Sequence, residues 1–154
     1  MKIDLLTVEE VKKLPVEILK CDVPKKFGGY VSNNKCWWWL RSPGYFSICA
    51  AVVDTSGAVD EFGDNVNFDD LAVRPIIRFN KKEDINRLSK TKKGYVKFLG
   101  TKWIDISEYL NEPCLLKKEC LEGAHKFDDQ SNDYETSKIK VYIEKWFKEK
   151  QQSN

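Results

Sequence analysis

The stretch Cys36-Trp37-Trp38-Trp39-Leu40-Arg41-Ser42-Pro43-Gly44 is apolar through its first five positions and then breaks on Ser-Pro-Gly. Successive side chains on a strand point to opposite faces, so an unbroken apolar run predicts a strand buried on both sides. For the same reason Trp37, Trp38 and Trp39 cannot share one exposed stacking surface. They are read as core, together with Trp103 and Trp146. A second apolar run follows at Ile48–Val53, then Asp54-Thr55-Ser56-Gly57, a hairpin turn with Gly where a positive φ is needed, and a returning segment at Ala58–Phe62. Beyond a polar loop from Gly63 to Asp70, a further strand is expected over Ala72–Phe79, placed at a sheet edge or bulge by Pro75.

Working outward, Asp4-Leu5-Leu6 predicts a short strand. Thr7-Val8-Glu9-Glu10 is a capping box that starts a helix, Pro15 ends that helix or starts the next segment, and Pro24–Asn34 is loop-like. On the other side, Asn80–Lys93 is charged and weakly apolar and is read as a linker. Strands are expected at Tyr95–Leu99, Trp103–Tyr109 and Cys114–Leu116, followed by a polar loop from Glu122 to Glu135. Ser137 caps a last helix whose Ile139, Tyr142, Ile143, Trp146 and Phe147 fall on one face. The whole reads as a single α+β domain over 1–154, a mostly antiparallel sheet with two flanking helices. Residues 1–79 and 94–154 are its two halves, joined by the charged stretch 80–93.

With 42% apolar residues in 154, the chain can bury a core, and global disorder is excluded. No apolar run approaches the length of a membrane-spanning helix, and Glu9-Glu10 come too early for a signal peptide, so a cytoplasmic location is expected. The net charge of +2 is too small to suggest direct nucleic-acid binding. Its distribution is lopsided. No Lys or Arg lies between Arg41 and Arg74, whereas Asp54, Asp60, Glu61, Asp64, Asp69 and Asp70 do. Cys21, Cys36, Cys49, Cys114 and Cys120 are odd in number, contain no Cys-x-x-Cys, and accompany a single histidine, His125, read as an exposed loop residue. They are read as reduced, buried apolar side chains, and no metal or cofactor is expected.

The Trp-Trp-Leu-Arg-Ser-Pro-Gly string, the Gly57 hairpin and Val73-Arg74-Pro75 together resemble an uncharacterised domain family of bacteria and their phages. The resemblance implies a C-type-lectin-like fold and a phage or mobile-element association. In that family the segments similar to Lys102-Trp103-Ile104-Asp105, Cys114-Leu115-Leu116 and Tyr134-Glu135-Thr136-Ser137-Lys138-Ile139 precede those similar to Asp4–Val11 and Cys36–Gly44. Here they follow. The chain is therefore read as a circular permutant, or as two half-repeats fused in the opposite order, the latter requiring a homodimer.

Arg41 and Arg74 sit among apolar residues, which suits buried ion pairs, with Asp4 or Asp105 as partner, better than anion-binding sites. The oxygen-rich loop Asp64–Asp70 lacks the EF-hand pattern and is read as solvated turns rather than a calcium site. No nucleophile–base pair is recognisable, so the protein is read as non-catalytic. The favoured reading is a binding module that recognises a protein or small ligand through surface loops. Its contacts would be Tyr45, Phe46, Asp54, Asp60, Glu61, Asp64, Asn65, Asn67, Asp69 and Asp70. The alternative is an anti-defence inhibitor that docks a basic or nucleic-acid-binding host protein on the acidic surface 54–70.

Overall fold

The computed structural model describes residues 1–153. Its strands in chain order are β1 (Lys2–Asp4), β2 (Cys21–Asp22), β3 (Lys35–Cys36), β4 (Trp38–Pro43), β5 (Cys49–Val53), β6 (Val59–Asn65), β7 (Ile76–Arg78), β8 (Val96–Phe98), β9 (Thr101–Asp105) and β10 (Cys114–Lys117). The helices are α1 (Val8–Val11), α2 (Val16–Leu19), α3 (Lys82–Asn86), α4 (Ser107–Leu110) and the long α5 (Lys138–Ser153). Every pairing between these strands is antiparallel. One sheet has the order β1-β7-β10-β9-β8, a second β4-β5-β6, and β2 pairs with β3, its Asp22 adding an isolated bridge to Glu119. The protein is thus an α+β domain of mostly antiparallel sheet. Among the described residues no helix is long and apolar enough to cross a membrane.

The alternation in Trp38–Leu40 sets up two cores. Trp39, Ala50 and Val52 face one, with Ile77, Trp103 and Leu115 from the larger sheet and Ile139, Ile143 and Phe147 from α5. Trp38, Leu40, Ala51 and Val53 face the other, with Val8, Val11 and Leu19 from the first two helices and Ile76 and Leu116. Each buried indole is tied to a carbonyl, as a buried N–H requires. Trp38 Nε1 donates to Leu19 O (3.0 Å), Trp39 Nε1 to His125 O (2.8 Å) and Trp103 Nε1 to Phe98 O (2.8 Å).

The two sheets are locked by charge as well as packing. The Asp4 carboxylate, 1% exposed, accepts from Arg41 Nη1 on β4 (2.9 Å) and from Arg78 Nε on β7 (3.0 Å). Arg41 also reaches Glu135 (2.8 Å) and lies over the Tyr134 ring. Arg78 continues to Glu10 at 2.8 and 3.0 Å and to Glu112. Burial disfavours the charged form of both Arg78 and Glu10, but their mutual pairing outweighs it: Arg78 is raised and Glu10 lowered from their ordinary values. Arg74 is fully buried and, among the described residues, has no carboxylate partner. It donates to the carbonyls of Ile18 (2.7 Å), Lys117 (2.8 Å) and Lys118 (3.3 Å), and its guanidinium lies over Trp38.

Several local expectations are corrected. The strand expected over Ala72–Phe79 begins only after Pro75 and lies inside its sheet, between β1 and β10; Pro75, which has no N–H, contributes its carbonyl to Lys117 N (3.0 Å). The stretch Asn80–Lys93 is not a bare linker, because it contains α3, whose Ile85 is fully buried. Trp103–Tyr109 divides into β9 and α4, with Asp105 accepting from Ser107 N (3.0 Å) where the chain turns. Asp105 also pairs with Lys82 rather than with Arg41 or Arg74. The first strand is Lys2–Asp4, displaced toward the N-terminus from Asp4–Leu6, and Gly63–Asn65 continue β6 instead of opening a loop. Four of the five helices are single turns, so only α5 flanks the sheets as a long helix.

Removing Asp4 strands two guanidiniums in a partly buried site. Asp4→Ala is therefore expected to destabilise the fold by about 3–5 kcal/mol, the usual cost of breaking a buried pair. Lys12→Ala, which breaks the exposed pair with Glu61, should leave the unfolding midpoint unchanged. Denaturant titration followed by circular dichroism compares the two; equal midpoints would show that Asp4 does not hold the sheets together.

Candidate functional site: an aromatic and acidic pocket beside β6

The β5–β6 pairing slips between its two ends. Val52 stands opposite Asp60 and Ala50 opposite Asp64, so two steps on β5 answer four on β6. Gly63 takes up the irregularity at φ +88°, where a Cβ would lie 2.3 Å from Ala50 O, and Asp60 Oδ1 accepts its N–H (3.1 Å). The bulge throws Phe62 outward against Tyr45 (stacked, centroids 5.2 Å) and Phe46 (edge-on, 5.4 Å), and all three rings are more than half exposed.

Past the bulge, Asp64 forms one wall of a pocket of about 240 Å³ lined by Tyr30, Trp37, Asp64, Phe68, Asp70 and Leu71. Each wall has a local cause. Asn65 Oδ1 accepts Asn67 N (3.0 Å) and Asn65 O accepts Phe68 N (3.1 Å), a side-chain-stabilised turn that carries the exposed Phe68 ring. Ala72 N donates to Trp37 O (2.8 Å), setting the half-buried indole beside Leu71. Tyr30 N donates to Asp70 O (3.0 Å), an approach open only because residue 29 is glycine: a Cβ there would lie 2.5 Å from Asp70 O and 2.5 Å from the Phe27 ring.

Asp64 has an unusual setting. Burial, then the neighbouring Asp60 and Asp70, push its carboxyl above the usual aspartate range. Among the described residues no basic side chain lies in hydrogen-bond or ion-pair contact with Asp64 or Asp70. Three aromatic faces and two carboxylates around one cavity form an electronegative, partly dehydrated environment that suits a cation.

The other sequence-predicted contacts scatter. Tyr45 and Phe46 are exposed and join Phe62 as described. Glu61 pairs with Lys12 (2.8 Å), so a lysine from outside the stretch does reach the acidic surface. Asp54 is a turn-former, accepting from Ser56 N (2.8 Å), Ser56 Oγ (2.6 Å) and Ala58 N (3.0 Å). Asn65 is likewise engaged in its own turn, and Asn67 and Asp69 are exposed. Trp38, Trp39 and Trp103 are core, Trp146 packs against it, and Trp37 both packs against the core and faces the pocket. His125 is half-buried and stacked on Tyr142 (4.3 Å), rather than a free loop residue. Sequence reasoning missed Tyr30, Phe62 and Phe68. Gly28-Gly29-Tyr30 held the one available signal, a glycine beside an aromatic in a loop. Comparison of the chain with protein-family profiles, curated proteins and solved structures returns no match.

Gly29→Ala should displace Tyr30 from Asp70 and open the pocket. The expected result is a loss of about 1–3 kcal/mol of stability, with amide chemical-shift changes centred on residues 27–30 and 68–71. Gly28→Ala, where the added methyl meets nothing within 4 Å, should leave both unchanged.

Proposed function

We propose that the protein is a non-catalytic binding module that takes a cationic side chain of a partner protein, a lysine ammonium or arginine guanidinium, into the pocket formed by Tyr30, Trp37, Phe68, Asp64 and Asp70. The observation that carries this reading is Asp64, a partly buried carboxylate crowded by two others, walled by aromatic rings and, among the described residues, paired with no cation. Such a group opposes folding at neutral pH, so its presence makes most sense if an incoming charge neutralises it. A cation over aromatic faces gains about 0.5–1 kcal/mol when exposed and about 2 when desolvated. The neighbouring cluster of Tyr45, Phe46 and Phe62 adds an apolar anchor, since exposed aromatics of this kind mark protein contacts. This gives the acidic segment 54–70 a basic partner, the chemistry that an inhibitor of a nucleic-acid-binding host protein would exploit.

The resemblance carried by Cys36–Gly44 and Val73–Pro75 supports a C-type-lectin-like scaffold with permuted order. In its favour, α5 packs against β1, so the segments at the two ends of the chain meet in one core. A rearranged chain beginning at Lys93, with the original ends joined by a flexible linker and closing at Lys92, keeps α3 intact. It should fold with an unchanged near-ultraviolet circular dichroism spectrum; an unfolded product would remove the permutation reading.

The pocket is tested by nuclear magnetic resonance titration with lysine amide, Nε-trimethyl-lysine and arginine amide, with neutral Nε-acetyl-lysine amide as control. Saturable shifts of the Trp37 indole and the Tyr30 and Phe68 rings are expected for at least one cation. They should weaken as ionic strength rises toward about 0.15 M, where charges are screened beyond about 8 Å. Binding should also fall as pH drops through the raised Asp64 value. The folding contribution has the opposite sense: a carboxyl raised in the folded state favours folding below its unfolded value of 3.8 and loses that advantage as pH rises. Asp64→Asn should therefore abolish cation binding and slightly raise the melting temperature at pH 7. Equal binding of the neutral control, or undiminished binding by Asp64→Asn, would overturn the proposal.

A further inference from the structure

Three of the five cysteines converge, and the pocket described above has no part in it. Cys21 on β2 stands directly opposite Cys36 on β3, and Cys120, in the segment after β10, reaches both; the three sulfurs lie within 4.8 Å of one another. They come from places 15 and 84 residues apart in sequence, which is why no ligand spacing announces them. The convergence is built by backbone. Cys120 N donates to Asp22 O (3.2 Å), Trp38 Nε1 holds Leu19 O, and Arg74 Nη1 holds Ile18 O. All three thiols are sealed from solvent. Cys49 and Cys114 are also buried but stand outside the cluster.

Two features set this cluster apart from ordinary apolar cysteines. The first is charge. The fully buried Arg74 acts electrostatically on Cys21, and the buried Lys117 acts on Cys21 and Cys120. Lys117 also lies in the field of the Glu119 carboxylate, but Arg74 has no carboxylate partner among the described residues, so buried positive charge remains beside the sulfurs. Three thiolates with a monovalent metal carry net negative charge, the sign this setting favours. The second is mechanical. The β2–β3 ladder has only two residue pairs, and it is tied to the segment after β10 by polar contacts of Asp22: a bridge to Glu119, the Cys120 N–H and the Lys118 ammonium (3.0 Å). A bond from each sulfur to one centre would reinforce that junction from its buried side.

We propose that Cys21, Cys36 and Cys120 form a three-thiolate site for a soft monovalent metal ion, copper(I), bound as a structural clamp. Thiolate ligands select soft ions. Three sulfurs sealed from water, with no fourth Cys, His, Asp or Glu in the group among the described residues, suit trigonal copper(I) better than zinc, which takes a fourth ligand.

The reduced protein is titrated anaerobically with copper(I) in the presence of a chromogenic copper(I) chelator, and in parallel with zinc(II) alone. One copper(I) per chain should be held against the chelator, with X-ray absorption showing sulfur-only coordination. The melting temperature should rise by several degrees, because a ion bound only by the folded state stabilises it. Cys120→Ser should lose the ion, whereas Cys49→Ser and Cys114→Ser should keep it. Because a core cysteine variant can misfold, the wild-type protein supplies an independent readout. Alkylation in mild denaturant followed by peptide mass spectrometry should show Cys21, Cys36 and Cys120 protected by copper(I) while Cys49 and Cys114 react. Preference for zinc, retention of copper by Cys120→Ser, or equal protection of all five cysteines would overturn the assignment.

Discussion

A single buried carboxylate ties the two halves of this fold together. Asp4 accepts from Arg41 on β4 and Arg78 on β7, and those strands belong to different sheets. Through Arg41 the network reaches Glu135, just before α5, and through Arg78 it reaches Glu10 on α1. Hydrophobic burial supplies the larger driving force, but it is non-directional. The fork geometry of two guanidiniums on one carboxylate fixes how the sheets sit relative to each other. Everything built on β4–β6, including the pocket, inherits its position from that constraint.

Charge is handled in two opposite ways on the same scaffold. At Asp4 every buried charge is matched, and the pairing holds Glu10 below its ordinary value. At Asp64 the charges are alike, and burial with Asp60 and Asp70 raises the carboxyl instead. A matched network stabilises a fold; an unmatched one stores an unfavourable interaction that a ligand can relieve. Beside the cysteine cluster buried positive charge is only partly matched: Lys117 lies in the field of Glu119, whereas Arg74 has no carboxylate partner among the described residues. Arg74 satisfies its donors on backbone carbonyls, which leaves its charge available to a neighbouring anion.

Much of the fold was legible because it rests on local chemistry. The apolar run through Trp38–Leu40, the Gly57 turn, the Thr7 and Ser137 caps and the α5 stripe are all set by residues within a few positions of each other. For Arg41 and Arg74 the expected partner was Asp4 or Asp105; the structure pairs Arg41 with Asp4, gives Asp105 to Lys82, and satisfies Arg74 on backbone carbonyls. Errors arose where one signal stood for two structures. Pro75 pointed to a sheet edge or bulge, whereas it marks where β7 begins, inside the sheet between β1 and β10. The charged residues of Asn80–Lys93 hid Ile85, a single buried side chain that anchors α3.

The candidate sites lie at the other extreme. The amino-acid sequence determined that the chain is an α+β domain with a Trp-rich, doubly buried strand and an acidic stretch without basic residues. These follow from period, turn chemistry and composition. Only the tertiary structure decided that Tyr30 and Phe68 flank Asp64, that Lys12 claims Glu61, and that Cys21, Cys36 and Cys120 meet. The physical reason is common to all three. Each depends on the register between strands and on loops returning from distant positions, and side-chain periodicity carries no information about which distant segments will be neighbours.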